Sequence, residues 1–292
     1  MKLSNIFLST LAVLLCCTAC SKDEESFKGK DADASLSIAV KAAGSAVTKG
    51  FHPNDENELA GEAKVNNLSV LVFDESGAQL IGYGWQATNS EGEASILNVP
   101  AMTMRAQIVI VSNTPENSLA GVTSYSDFES KLAQLADQSQ SNLVMSSPVI
   151  TPQAPLGKGD NYLGYASMGS ENINGIAEPV EITRLAARLD LVNVKTDFTK
   201  TLLRNRTVRV EEVTILNQST ASRFFSRDYL GVVMASGHLG NSDATALNRD
   251  IANGSPINDT PYVHYVMEND GSEAPTEIQV RATLLETATY EA

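Results

Sequence analysis

Alternating hydrophobic and polar residues recur along most of the chain and predict β-strands. Residues 36–40 (LSIAV), 67–73 (NLSVLVF) and 94–100 (ASILNVP) place apolar side chains at every second position. Residues 104–113 (MRAQIVIVSN) are almost continuously apolar, which indicates a central, fully buried strand. These segments lie within one stretch of the chain and predict a sheet.

A hairpin and further strands follow from the same pattern. Residues 74–77 (DESG) form a turn whose glycine can adopt positive φ, so residues 78–85 should return as the second strand of a hairpin. Further strands are expected at 142–146, 162–168, 207–217, 223–226, 260–269 and 276–285. Residues 235–259 are rich in Gly, Ser, Asn and Asp, which predicts a long loop.

Residues 126–137 (SDFESKLAQLAD) show the clearest helical pattern. Ser126 and Glu129 fit a capping box, and Phe128, Leu132 and Leu135 share one helix face. A helix over this range is therefore predicted.

Residues 178–195 (EPVEITRLAARLDLVNVK) form the longest ordered-looking run. Its apolar residues change parity near Thr183–Arg184, which predicts one strand with a bulge at that point. Arg184 and Arg188 then stand on the polar side. They fit either an anion clamp or, as we favour, the solvent-exposed face of a strand.

Many short strands and a single helix predict an all-β fold built from β-sandwiches. A boundary near residues 195–200 separates about 160 residues from about 95. We therefore expect a signal segment at 1–19, a tether with the first strand at 20–49, an N-terminal β-domain at 50–195 and a C-terminal β-domain at 196–292. With 42% hydrophobic residues, both domains can form real cores.

The chain begins with an export signal. Lys2 precedes an apolar run at residues 6–17, which is too short to span a bilayer. Thr18 and Ala19 then lead into Cys20, and this order resembles the lipobox of bacterial lipoproteins, with Cys17 in place of the usual leucine. The lysine and acids after Cys20 resemble the surface-export signal of lipoproteins from the Bacteroides group. Lipidation at Cys20 is predicted; an ordinary secretory signal cut nearby is the alternative.

Composition narrows the possible chemistry. Of the three cysteines, Cys16 and Cys17 leave with the signal peptide and Cys20 is the lipidated one, so the mature chain is expected to have no other thiol for a disulfide, metal site or nucleophile. A net charge of −14 repels phosphate backbones and makes nucleic acid an improbable partner. The three histidines (His52, His238 and His264) form no close pair, which argues against a histidine metal site.

Residues 41–64 predict a long exposed loop of the kind that proteases cut. Lys49, followed by Gly50, is the preferred position for a tryptic cut, and Lys41 is the second choice. Its acids Asp55, Glu56 and Glu58 lack the spacing of an EF-hand, so a solvated acidic loop is favoured over a calcium site.

No arrangement of residues predicts an enzyme or a cofactor site. There is no GxSxG motif, no P-loop, and no carboxylate pair that stands out among 35 acidic residues. His264 alternates with Tyr262 and Val266 and is read as structural. Trp85, with Tyr83 beside it, fits either a sugar-stacking platform or, more often in such a position, packing at the edge of a sheet.

The order of segments resembles the major fimbrial subunit family of the Bacteroidales, the FimA/Mfa1-type fimbrillins. The matching pieces cover residues 36–285: LSVLVFDESGAQL (68–80), AQIVIVSNTP (106–115), the helix followed by LVMSS (143–147), PVEITRLAARLDL (179–191), YVHYVMEND (262–270) and PTEIQVRATL (275–284). The resemblance implies two tandem β-sandwich domains with transthyretin-like topology, on the bacterial cell surface. Other fimbrial subunits are the implied partners.

The resemblance also implies a mechanism. Such subunits are exported as outer-membrane lipoproteins and lose an N-terminal segment to a trypsin-like protease. The loss of the first strand, here 36–40, opens a groove that a strand of a neighbouring subunit fills. A head-to-tail contact of this kind extends into a filament.

Two features depart from the family pattern. The family's cut follows arginine, whereas the first arginine here is Arg105. Further C-terminal strands are expected after Ala292, so the chain is read as a fragment or, failing that, as a terminal subunit. A stand-alone, lipid-anchored adhesin or glycan-binding lipoprotein is the alternative function, distinguished by whether the N-terminal strand is kept.

Overall fold

The protein is described by a computed structural model over residues 31–43, 59–166, 177–191, 194–225, 232–234, 243–254, 262–269 and 274–286. The first half contains β1 (Ala34–Ala42), β2 (Lys64–Asp74), β3 (Leu80–Glu91), β4 (Glu93–Ala101), β5 (Ala106–Ser112), α1 (Tyr125–Ser130), β6 (Leu132–Gln134), β7 (Met145–Ser146), β8 (Gly159–Leu163) and β9 (Val180–Arg184). The second half contains β10 (Ala186–Leu191), β11 (Thr207–Leu216), β12 (Ala221–Phe225), β13 (Val232–Met234), β14 (Asp243–Ala252), β15 (Tyr262–Met267) and β16 (Glu277–Leu285). The predicted all-β fold with one short helix is confirmed.

The first eight-stranded sheet has the order β4-β3-β2-β5-β7-β9-β1-β8, and β1 also pairs with β4. The sheet therefore closes on itself around an interior core. Alternate residues of its strands point into that core, among them Leu36, Val70, Ile96, Ile108 and Ile182. The predicted central strand is confirmed as β5, which is buried at all its positions.

A second core covers the outer face of β2 and β5. Phe73 of β2 meets Tyr125 of α1 edge to face, with ring centroids 5.7 Å apart. Phe128 of the same helix stacks on Phe224 of β12 at 5.3 Å. This core therefore joins the first half of the chain to the second.

The second half forms three small sheets, with orders β14-β11-β16, β10-β15 and β13-β12-β6. The predicted loop at 235–259 is wrong for its described part, because residues 243–252 form β14. Its polar composition suited an exposed strand: β14 pairs with β11 over most of its length and remains largely solvent-accessible.

The predicted helix over 126–137 is wrong in extent. The helix α1 ends at Ser130, and its cap is Ser124, whose side chain accepts a hydrogen bond from the Asp127 amide. The Asp127 carboxylate in turn accepts from the Thr123 amide at 3.1 Å. Residues 132–134 leave the helix because they pair with β12 as β6, so long-range strand pairing outweighs the local helical pattern.

The predicted single bulged strand over 178–195 is also wrong. Leu185 separates two strands that belong to different sheets: β9 closes the first sheet, and β10 pairs with β15. The change of parity therefore marks a change of sheet. Among the described residues, α1 is too short to cross a membrane, and no longer apolar helix occurs.

Candidate functional site

The first strand, β1, contains residues 36–40, which the family resemblance implies are removable, and it contributes a row of side chains to the interior core. Leu36, Ile38 and Val40 are each 0% exposed. Burying an aliphatic side chain of this size stabilises a fold by roughly 1.5–3 kcal/mol. A groove without these three side chains would expose the apolar residues that they cover.

Both edges of β1 are paired. Residues 34–41 run antiparallel to β4, with an irregularity between Leu36 and Ile38. On the other edge, residues 34–38 run parallel to β8 and residues 40–42 parallel to β9. Among the described strands β8 pairs with β1 alone, and β4 meets β3 at the single pair Gly82–Ala101. Two neighbouring strands therefore depend on β1 for their sheet position.

Polar contacts fix where β1 begins. The Asp33 carboxylate accepts a hydrogen bond from the Thr103 amide at 2.8 Å, and this bond lowers the pKa of Asp33. The hydroxyl of Ser35 donates to Asp160 at 2.6 Å. The buried side chain of Asn161 donates to the Ser35 carbonyl at 3.1 Å and to two carbonyls of its own turn. The register of β1 against β8 is thus set by side chains as well as by the ladder.

Backbone hydrogen bonds hold the other end of β1. The amide of Ala42 donates to Gly92 at 2.7 Å, and that of Ala43 donates to Ile182 at 2.8 Å. Lys41 lies within the strand, and its ammonium reaches Glu181 at 3.3 Å. The predicted loop at 41–64 is therefore wrong at its first residues, because Lys41 belongs to the ladder of β1. Lys49 and Gly50 lie outside the described residues, as does Cys20.

A buried ionic cluster lies just before β2. We call Glu62, Arg184, Arg188 and Tyr265 the Glu62 cluster. The Glu62 carboxylate, 6% exposed, accepts from Arg188 at 2.6 Å and from the Tyr265 hydroxyl at 2.7 Å. Arg184 donates to the Glu62 carbonyl at 2.9 Å. The cluster joins the segment before β2 to β9, β10 and β15.

Electrostatics in the cluster follow from burial and these contacts. Burial raises the pKa of Tyr265, and the hydrogen bond to the Glu62 carboxylate raises it further, so the phenol keeps its proton. Burial lowers the pKa of Arg184. Burial alone would lower the pKa of Arg188 too, but Glu62 and Asp190 raise it overall. Arg188 also donates to Asp190 at 2.9 Å.

The predicted solvent-exposed position of Arg184 and Arg188 is wrong. Arg184, the last residue of β9, donates to the Glu62 backbone carbonyl. Arg188 lies on β10, which pairs with β15, and binds the Glu62 carboxylate. Glu62 itself was missed. The segment around it is polar and glycine-rich, so no hydrophobic period marks it as buried.

The remaining candidates lie in packed surroundings. Tyr83 and Trp85 lie half-buried on β3, and both the Tyr83 hydroxyl oxygen and the Trp85 indole nitrogen are shielded from solvent. Burial raises the pKa of Tyr83. His264 hydrogen-bonds Gln218 at 2.9 Å, as a structural residue would. In the described part of the chain no group of His, Cys, Asp or Glu has the arrangement of a metal site; Asp55, Glu56 and Glu58 lie outside it.

Two family profiles together match almost the whole described chain. Residues 34–184 match the major fimbrial subunit protein FimA, and residues 185–292 match the C-terminal domain of Fim1C-like fimbrium tip subunits. The two matches meet at Leu185, where the chain passes from the eight-stranded sheet to the sheet of β10 and β15.

Individual relatives of this chain are fimbrial subunits as well. A Parabacteroides distasonis protein named as the fimbrium tip subunit Fim1C is 46% identical over 99% of this chain and 77% of its own length. A FimA type-2 major fimbrium subunit of Porphyromonas gingivalis is 26% identical over 87% of this chain and 59% of its own.

Solved structures match the fold as well. A P. distasonis crystal structure described as a cell adhesion protein matches with TM-score 0.82 and 44% identity over 89% of this chain and 78% of its own. A fimbrilin of P. gingivalis W83 shares the fold, with TM-score 0.54 and 15% identity over 87% and 71% of the two chains.

Proposed function

The chain belongs to the FimA-type fimbrial subunit family, and on that premise we propose that it is a structural subunit of a cell-surface fimbria that serves adhesion. In this proposal β1 occupies the place of a strand that a neighbouring subunit supplies during assembly. The observation that carries it is the position of β1, whose apolar row is buried and whose two edges are paired.

Strand replacement fits the geometry of β1. A replacing strand gains main-chain hydrogen bonds on both edges and three apolar sites at alternate positions. It would run antiparallel to β4 and parallel to β8 and β9, as β1 does. The alternate positions then select for residues similar to Leu36, Ile38 and Val40.

We place the activating cut after Lys49, before Gly50. Lys49 is the only lysine or arginine between residues 44 and 58, so a trypsin-like protease has a single target there. Lys41 remains the second choice, because it lies in the ladder of β1 and a protease needs an accessible, extended chain. A cut at Lys49 separates β1 from the remainder while leaving β1 whole.

The proposed function also includes the export of the chain and its place in the filament. Residues 1–19 would direct export, and lipid on Cys20 would hold the subunit at the outer membrane until the cut. The N-terminal and C-terminal β-domains, expected at 50–195 and 196–292, would then form the mature subunit, and the change of sheet at Leu185 supports a boundary about ten residues earlier than expected. Identity with a relative named as a tip subunit supports a place at the end of the filament.

The test compares the chain with Lys49→Gln and Lys41→Gln variants under limited trypsin digestion. Mass spectrometry locates the new N-terminus, and size-exclusion chromatography with unheated gels follows assembly. The proposal expects an N-terminus at Gly50, release of β1, and binding of other subunits in the parent and in Lys41→Gln, but not in Lys49→Gln. A cut chain that keeps β1 and stays monomeric with other subunits present would overturn it and favour the stand-alone adhesin.

A further inference from the structure

The strand β4 bulges where it passes Ser37 of β1. One residue of β1, Ser37, lies there opposite two residues of β4, Leu97 and Asn98, and Asn98 adopts a φ of 55°. The matched pairs on either side are Leu36 with Val99 and Ile38 with Ile96. The ladder leaves the extra residue of a bulge unpaired, so its amide needs an acceptor outside the regular pattern.

The side chain of Ser37 supplies that acceptor. The Asn98 amide donates to the Ser37 hydroxyl oxygen at 3.1 Å. Ser37 lies on the other face of β1 from Leu36 and Ile38, yet it is only 5% exposed. Because solvent has little access to this position, water is a poor substitute for the hydroxyl.

We infer that the strand which replaces β1 carries serine or threonine at the place of Ser37. The inference rests on the proposed replacement of β1 and adds a requirement on the outer face of the replacing strand. The three interior sites take aliphatic side chains, whereas the site of Ser37 takes a small side chain with an oxygen acceptor. At the places of residues 36–38 the replacing segment should therefore read aliphatic, Ser or Thr, aliphatic.

Other side chains fit the site less well. Alanine and valine offer no acceptor. Asparagine has one, but its amide nitrogen needs room and a partner of its own. In the ladder with β8, Ser37 lies opposite Tyr162 and Ser35 opposite Asp160, so an aspartate at the site would bring a second carboxylate into an enclosed place near Asp160.

The hydroxyl also fixes the register of the strand, as β1 itself shows. A shift of two residues in one direction would place Ala39, which has no acceptor, at the bulge. The opposite shift would place Ser35 at the bulge but move Ala34 into the interior site of Leu36. Only the observed register combines an acceptor at the bulge with large aliphatic side chains inside.

Peptide competition tests the requirement on the full chain after the cut. The chain is cleaved after Lys49, the trypsin is inhibited, and a fluorescent peptide of residues 33–43 is exchanged into the groove. Unlabelled peptides with Ser37→Thr, Ser37→Val or Ser37→Ala then compete with it. Threonine and valine have nearly the same shape, so crowding affects both and their difference reports the hydroxyl. Ser35→Ala is the matched control, because the Ser35 hydroxyl bonds the exposed carboxylate of Asp160 on the same face.

We expect the Ser37→Thr peptide to compete about three- to tenfold more strongly than the Ser37→Val peptide, as the gain of one hydrogen bond does. The parent peptide should exceed Ser37→Ala by a similar factor, and Ser35→Ala should stay within about twofold of the parent. Equal competition by all peptides would overturn the requirement at Ser37 while the replacement of β1 stands. A groove that no peptide enters would overturn the replacement of β1 itself, and the requirement with it.

Hydrogen exchange tests the same bond in the uncut chain. The Asn98 amide proton, followed by NMR, should exchange about three- to tenfold faster in Ser37→Val than in Ser37→Thr. The Ala42 amide, which donates to the Gly92 carbonyl at the other end of β1, is the internal control and should exchange equally in both. Equal exchange at Asn98 would show that the hydroxyl is not the acceptor of its amide, and the inference would be wrong.

Discussion

Glu62 is the residue on which the junction between the two halves most depends. Its carboxylate receives hydrogen bonds from Arg188, Tyr265 and the Leu59 amide. A buried carboxylate is stable only when such partners compensate for its lost hydration. Removing it would take away the acceptor of the Tyr265 hydroxyl and one of the two carboxylates that Arg188 binds.

Substituting Glu62 should therefore destabilise the fold. We expect Glu62→Ala to lower the free energy of unfolding by about 3–5 kcal/mol, as breaking a buried ion pair does. Urea denaturation followed by circular dichroism measures this change. Glu75→Ala, at an exposed turn position, is the control and should stay within about 0.5 kcal/mol of the parent. An unchanged urea midpoint for Glu62→Ala would show that the Glu62 cluster contributes little to the stability of the fold.

Tyr265 gives the junction a dependence on alkaline pH. Its pKa is raised in the folded state above the ordinary value of about 10. The protonated Tyr265 stabilises the fold fully at pH values below its pKa in the unfolded chain. This stabilisation is lost as the pH rises towards its pKa in the folded state, because the unfolded chain loses the proton first. Stability should thus fall above about pH 10, and Tyr265→Phe should flatten part of that fall. If the free energy of unfolding of the parent and of Tyr265→Phe depends on pH in the same way, Tyr265 is not the group responsible.

At the scale of elements, close packing between strands depends on glycine. A Cβ built on Gly82 would lie 2.8 Å from the Pro100 carbonyl oxygen and 3.0 Å from Val72. This is the point where β3 meets β4 and the first sheet closes. The Pro100 carbonyl oxygen and the Cβ atoms of Ala101 and Val72 leave no room for a methyl group.

Gly82→Ala should therefore cost about 1–3 kcal/mol, as overpacking of a core does. Gly121→Ala is the matched control: its Cβ meets nothing within 4 Å, so it should be neutral or slightly stabilising. Thermal unfolding of both variants measures the difference. Equal melting temperatures would mean that β4 can shift without cost.

Periodicity predicted most strands, because strands with one buried face carry a period of two. It failed where distant pairing decides the structure. Residues 132–134 have helical spacing but join β12, and the parity change near Leu185 marks a change of sheet. Within the candidate site, β1 was predictable from its alternation. Glu62 was not, since one buried acid has no local pattern.

At the scale of the whole molecule, the two halves share a core. Phe128 and Phe224 stack across the junction, and β6 pairs with β12 beside them. The two halves should therefore unfold together. Trp85, the only tryptophan, lies in the first half and reports its unfolding by fluorescence.

Phe224→Ala should lower the free energy of unfolding by about 3–5 kcal/mol and shift the Trp85 transition, although Trp85 is in the other half. Fluorescence and circular dichroism should give the same midpoint in the parent chain. Leu202→Ala, at an 86% exposed site, should leave both probes unchanged. If Phe224→Ala leaves the midpoint of the Trp85 fluorescence transition unchanged, the two halves unfold independently.

The central claim is that β1 must leave its groove before another subunit can bind. Ala39 and Ser95 lie opposite each other in the ladder of β1 and β4 and are only partly buried. The variant Ala39→Cys/Ser95→Cys can therefore lock β1 in place by a disulfide without disturbing the core.

The decisive measurement is binding of other fimbrial subunits by this variant after the cut at Lys49, first oxidised and then reduced. We predict that the oxidised chain retains β1 and binds none, and that reduction releases β1 and restores binding to the level of the cut parent. Equal binding by the oxidised and reduced chains would show that β1 stays in the fold and that assembly uses another surface.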